Sequence, residues 1–263
     1  MAPRDIIDGD TQEKPARLDI LYRDEYLIAI QKPSGLLVHR SPIDKYETRF
    51  AIQQLRDQIG QRVYPVHRLD KPTSGVLLFA LDSATAKQVN EHWSTTEKTY
   101  LAVVRGYAPE HQMIDHALRY EADSYGDANL THTTVQQAKT QVSRLASIEL
   151  NVTIDRYPSS RYSLVKCQPY TGRKHQIRRH LKRISHPIIG DAKHGKGKHN
   201  RYFANQLHTP RLLLAATQLK LKHPITRQTL CINAPLEGCF AELIQRFDWN
   251  EAVPTEWLPN YAS

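Results

Sequence analysis

The sequence predicts an α+β domain, a mixed sheet with helices packed on it. Three observations lead there. Short apolar or alternating runs of strand length recur from Leu18 to Ile232. A few stretches with helical spacing lie between them. No internal repeat or low-complexity linker divides the 263 residues, a length that one large domain can fill.

Residues 1–16 are polar, with Gly, Pro and mixed charge, and read as a flexible tail. The domain proper is taken as 17–263. Leu18 to Ile30 reads as two strands around a turn at Arg23-Asp24-Glu25, and Lys32-Pro33-Ser34-Gly35 is a turn signal before Leu36–His39 resumes. Over 47–59, Phe50, Ile52, Leu55 and Ile59 fall near helical spacing, with Gly60 as the stop. Asp82 or Ser83 caps a helix running to about Trp93. Lys98–Val104 alternates as a strand, 107–137 shows no clear pattern, and strands follow at 139–147 and 162–167 around a loop at 156–161. A helix is expected over 172–184, where Ile177, Leu181 and Ile184 form one apolar stripe. His186-Pro187 ends it, and 192–200 reads as a Gly/Lys/His loop. Strands at 212–221 and 229–232 and a helix at 236–247 complete the chain.

Hydrophobic and charged contents, 40% and 24%, are those of a soluble globular protein. No apolar run reaches membrane-spanning length, and the N-terminus lacks the apolar centre of a secretory signal. Cys167, Cys231 and Cys239 form no CxxC pair, so neither a zinc ribbon nor a disulfide framework is indicated and a reducing cytoplasm fits best. His194, His199 and His208 match no zinc spacing, so no metal is expected. Phosphate loops, dinucleotide fingerprints and the GxSxG elbow are absent too.

Charge is concentrated. Segment 171–201 holds ten Lys or Arg against one acid, Asp191, and so carries the whole formal excess of +9. A basic excess confined to one stretch points to a polyanionic partner, nucleic acid first. The other outstanding stretch is Val66–Gly75, a charged and turn-forming segment set against the apolar run Val76–Leu81. Its Asp70 is either half of a structural Arg–Asp pair or a rigid, reactive carboxylate. An aspartate is ionised at neutral pH, and a neighbouring arginine keeps it so and aims it. That suits a nucleophile better than a general acid. Arg178 lies about 100° around its helix from Ile177, at the edge of the buried stripe, from which it can turn inward.

His67-Arg68-Leu69-Asp70 with Thr73-Ser74-Gly75 resembles the active-site motif of the RluA family of pseudouridine synthases. Lys32–Gly35, Lys98-Thr99-Tyr100 and Thr171–Arg178 resemble the family's other motifs, in its order, and the likeness runs from about Leu18 to Leu243. The resemblance implies the pseudouridine synthase fold: α+β, with a mixed, largely antiparallel central sheet and a catalytic cleft across it. It implies an isomerase with no cofactor, acting as a monomer with no obligate protein partner. Asp70, Tyr100 and Arg178 would be catalytic: nucleophile, late acid or base stacked near the base, and partner of Asp70. Arg68 would enter the helix from which the uridine is flipped. Arg173, Lys174, Arg179, Arg183, Lys193, Lys196 and Lys198 would face the RNA backbone, and Lys32 is structural or phosphate-facing rather than catalytic.

The segments 37–41, 56–61, 173–181 and 186–195 are most similar to tRNA-modifying members. That implies tRNA as substrate and uridine 65 of the T stem as target. An rRNA or another tRNA site, or a non-catalytic RNA-binding protein of the same fold, are the competing readings. Two departures stand out: no room for the S4-type RNA-binding module that many relatives carry, and Ala215 where they commonly have His.

Overall fold

The computed structural model describes residues 17–40, 46–120 and 134–259. The expected tail, 1–16, lies outside them. In chain order the elements are β1 (Ile20–Arg23), β2 (Leu27–Lys32), α1 (Ala51–Ile59), β3 (Tyr64–Pro65), β4 (Ser74–Ala80), α2 (Ser83–Glu91) and β5 (Glu97–Arg105). Then come β6 (His111–Asp115), β7 (Leu118–Arg119), β8 (Val135–Gln136), β9 (Lys139–Leu150), β10 (Ser160–Pro169) and α3 (Gln176–Arg183). The last are α4 (Gly197–Gln206), β11 (Leu214–Lys222), β12 (Thr229–Asn233) and α5 (Gly238–Arg246).

The main sheet runs β1-β2-β4-β11-β5-β10-β9-β6, with β3 on β4 and β12 on β11. Every pairing is antiparallel except β4 with β11. The sheet is therefore mixed and largely antiparallel, as expected. Strands β2 and β4 are buried along their whole length. Such strands read as continuous apolar runs because both faces are covered. Ile28, Ile30, Leu77 and Phe79 pack with Leu55 of α1 on one face. Leu27, Ala29, Leu78 and Ala80 pack with Ala86 and Val89 of α2 on the other. In the second half of the sheet, Ala102, Val104 and Val165 pack with Ile177 and Leu181 of α3. Leu101, Val103 and Leu164 pack with Phe203 of α4 and Phe240 of α5.

Tyr100 touches both the α1-side and the α3-side clusters. It marks the seam where the two halves meet, and the site lies over that seam. Gly75 makes the seam possible. It pairs in parallel with Ala216 of β11 at φ +112°, and a Cβ there would lie 2.1 Å from the Ala216 carbonyl oxygen. Ala215, opposite Ser74, is buried in the α5-side core.

Several boundaries differ from expectation. The helix expected over 47–59 begins at Ala51, because Phe50 is extended and buried as its N-cap. The helix expected over 172–184 begins at Gln176, because His175 adopts a left-handed φ of 53° that no helix interior accommodates. The expected loop 192–200 gives way to α4 at Gly197; its sequence is polar, and only His199 and Phe203 are buried. In 107–137 the described residues form β6, β7 and β8, short and partly exposed strands with no apolar run to signal them. Residues 121–133 lie outside the described residues.

Candidate active site

The sequence places Asp70 in a tight turn, and the turn is fastened from three sides. The Thr73 amide donates to the Asp70 carbonyl at 3.0 Å. The Lys32–Gly35 turn clamps the next two residues: Gly35 N and Lys32 Nζ donate to the Lys71 carbonyl at 2.9 and 3.1 Å, and Ser34 Oγ to the Pro72 carbonyl at 2.8 Å. Lys32 is fully buried and its ammonium also donates to the Pro33 and Leu36 carbonyls. Burial, aided by the Arg211 charge, pushes its pKa down to about 7. The residue is structural, with no face toward a phosphate. Upstream, His67 Nε2 accepts from the Leu78 amide of β4 at 2.9 Å. Burial first, then the Lys98 charge, drives this imidazole down to about 3, so it stays neutral. With His67 and Leu69 anchored inward, Arg68 stands exposed at the rim.

Arg178 reaches the turn from α3. Its Nη1 donates to Asp70 Oδ2 at 3.0 Å, while Nε and Nη2 donate to Asp191 at 2.7 and 2.8 Å. One planar guanidinium thus bridges two carboxylates, a geometry available to Arg and not to Lys. Burial works to lower the Arg178 pKa, but the bonds to Asp191 and the charges of Asp191 and Asp70 outweigh it and raise it. Burial likewise works to raise the Asp191 carboxyl, yet bonds from Arg178 and the His194 amide hold it below the ordinary carboxylate value. His175 Nε2 also approaches Asp70 Oδ2, at 3.7 Å, an ion-pair distance rather than a hydrogen bond. The guanidinium and the imidazole converge on one oxygen. Among the described residues, Asp70 Oδ1 accepts no hydrogen bond.

Asp70, His175 and Arg178 line a cleft of about 300 Å³, with Tyr100, Arg68 and Leu214 also in its wall. That is the lower end of the size range of small-ligand sites, about 300–1,000 Å³. Burial first, then the charge of Asp70, lifts the Tyr100 phenol well above its ordinary value. In the unliganded protein it is a neutral phenol, a proton donor rather than a resident base. On the opposite wall Trp93 stacks on His67 with ring centres 4.8 Å apart, and the Lys98 ammonium lies 5.6 Å from the Trp93 centroid.

The structure therefore brings Asp70, Tyr100, Arg178 and Arg68 together in one cleft, with Arg173 and Lys174 on its wall. Arg179 and Arg183 lie on α3 beyond that lining, and Lys193, Lys196 and Lys198 follow Asp191 on exposed backbone. Lys198 is paired with Asp155 at 3.2 Å. Of the three histidines that invited a metal reading, His194 bonds His175, and His199 bonds the Tyr162 hydroxyl. Sequence reasoning missed His175, Asp191 and Trp93. The one available signal for Asp191 was its isolation, a single acid among ten cations.

A family model described as RNA pseudouridylate synthase matches residues 26–183. The chain belongs to this family of isomerases, in its RluA branch. Among curated relatives it is 47% identical to a tRNA pseudouridine synthase C of Vibrio parahaemolyticus over 242 residues, 91% of this chain and 98% of the relative. It is 48% identical to the protein of that name from Haemophilus ducreyi, over 89% and 97% of the two chains. Among solved structures, human RNA Pseudouridylate Synthase Domain Containing 4 superposes with a TM-score of 0.63 at 27% identity, over 88% of this chain and 93% of that one.

Proposed function

We propose that this enzyme isomerises uridine to pseudouridine in tRNA, at uridine 65 of the T stem. The observation that carries the reading is the Asp70 carboxylate, pinned through Oδ2 and open at Oδ1 inside a nucleoside-sized cleft. The relatives' names support tRNA as substrate. The likeness of segments 173–181 and 186–195 to tRNA-modifying members supports the position.

In this account Arg68, at the rim, enters the RNA helix as the uridine leaves it, and offsets the lost stacking. Arg173, Lys174, Arg179, Arg183, Lys193, Lys196 and Lys198 hold phosphates and set the register without reading sequence. Asp70 Oδ1 is the nucleophile in breaking the N1–C1′ bond. The uracil turns, C5 bonds to C1′ as Asp70 is displaced from it, and the C5 proton leaves last while N1 gains one, so N1–C1′ and C5–H are exchanged for C5–C1′ and N1–H. Bonds broken and formed balance, so the residues need neither water nor a redox partner. Arg178 keeps Asp70 aimed throughout. Tyr100 lies beneath the base, and its phenol gives its proton to N1 as it takes that of C5. With tRNA as partner, the enzyme works in the cytoplasm; among the described residues no helix is long and apolar enough to cross a membrane.

Mapping pseudouridine by chemical modification and primer extension, on tRNA and large-subunit rRNA transcripts incubated with the enzyme, tests the substrate. A single new stop at tRNA position 65 is expected. Modification confined to rRNA, or to another tRNA position, would overturn the assignment.

A further inference from the structure

Asp191 lies at the end of the apolar segment Ile188-Ile189, and its side chain is wholly buried. Its carboxylate takes four hydrogen bonds. Two come from Arg178, at 2.7 and 2.8 Å, and two from the backbone amides of Lys193 and His194, at 2.9 and 2.8 Å. The loop around it is built to hold it there. Gly190 has φ +79°, and a Cβ on it would sit 1.8 Å from the Arg211 carbonyl oxygen; a Cβ on Gly195 would sit 2.3 Å from the Asp191 carbonyl oxygen. From α4, Asn200 closes the loop, accepting from the Gly190 amide at 2.9 Å and donating to the Asp191 carbonyl at 3.0 Å.

Two arms run from this residue to Asp70. The first is direct: with Nε and Nη2 of Arg178 occupied by Asp191, only the Nη1 edge is presented to Asp70 Oδ2. The second passes through His194, whose amide is fixed by Asp191 and whose Nε2 lies 3.1 Å from His175 Nδ1. His175 then turns Nε2 toward the same Asp70 oxygen, from a backbone conformation that non-glycine residues rarely adopt.

We propose that Asp191 is the positioning residue of this site, aiming Arg178 directly and His175 through His194 so that both converge on Asp70 Oδ2 and leave Oδ1 to the substrate. The proposal rests on Asp70 being the nucleophile. It assigns no contact with RNA to Asp191 itself. Its effect should therefore fall on kcat and leave KM in place.

The test is tritium release from tRNA labelled at C5 of uridine, with melting temperatures measured in parallel. Asp191→Asn keeps the shape and removes the charge. It should lower kcat about 10–100-fold with KM changed less than about threefold. In an Arg178→Lys, His175→Ala background the same substitution should add less than about threefold, because both arms it controls are already broken. A folded Asp191→Asn with wild-type kcat, or an undiminished loss in that background, would overturn the proposal. Should Asp191→Asn fail to fold, His194→Ala decides through the second arm. A several-fold loss of kcat that vanishes in a His175→Ala background supports it, and an unchanged kcat overturns it. Asp70→Asn is run beside them: if that variant still releases tritium, the nucleophile assignment has failed. If it is inert while the Asp191 and His194 variants run at the wild-type rate, only this inference falls.

Discussion

Arg178 and Asp70 are 108 positions apart in the chain and 3.0 Å apart in the fold, joined through Nη1 and Oδ2. The pair closes the seam between the two halves of the sheet, since Leu69, beside Asp70, packs on the α1 side and Ile177, beside Arg178, on the α3 side. Arg178→Lys should therefore be severe although the charge is kept. A lysine supplies one point of contact, so it cannot hold Asp191 in two places and Asp70 in a third. We expect kcat to fall about 100-fold with little change in KM. A loss under about threefold in steady-state tritium release would mean that the fork is dispensable.

The partner of Asp70 was legible in the sequence, and its supports were not. The apolar stripe Ile177, Leu181, Ile184 places residue 178 at the buried edge, and a cation there demands an anion. Asp191 follows a Gly and precedes a basic run, the pattern of any surface turn. Its burial depends on Gly190 and Gly195 lying against other backbone and on Asn200 reaching over from α4. Those contacts are tertiary. Helix α4 was hidden for a related reason: its stretch GKHNRYFANQ buries only two side chains, so it carries almost no periodic signal. The late start of α3 has a local cause that spacing alone does not express. Gln176 spends its side chain on the loop, accepting from Thr171 Oγ1 at 2.6 Å and the Arg173 amide at 3.1 Å, and donating to Thr140 at 2.9 Å. By contrast the β2 and β4 runs announced themselves, because strands covered on both faces have few polar positions.

Lys32 gives the fold a specific pH dependence. Its pKa, ordinarily 10.5, is about 7 in the native protein. Between those values the unfolded chain binds a proton that the native state has shed, so stability rises with pH across the window. The slope from this group is about 1.4 kcal/mol per pH unit at most. Urea unfolding at pH 7.5 and pH 9 should show wild type gaining up to about 2 kcal/mol on a Lys32→Met variant. Parallel curves for the two proteins would refute the assignment.

Gly75→Ala should damage the scaffold rather than the chemistry. The added methyl meets the Ala216 carbonyl oxygen at 2.1 Å on a backbone with φ +112°, and neither strand can yield without parting β4 from β11. Clash and left-handed strain together should cost at least about 3 kcal/mol. Thermal unfolding will show it as a lowered melting temperature or a loss of soluble protein. A variant that melts with the wild type would contradict the close approach.

If Asp70 is the nucleophile of a uridine isomerisation, single-turnover tritium release from C5-labelled tRNA depends on its carboxylate. Wild type should release one tritium per modified tRNA. Asp70→Asn, nearly isosteric but uncharged, should bind the same tRNA at comparable affinity and release none above background. Release by Asp70→Asn at a rate near that of wild type would contradict the account.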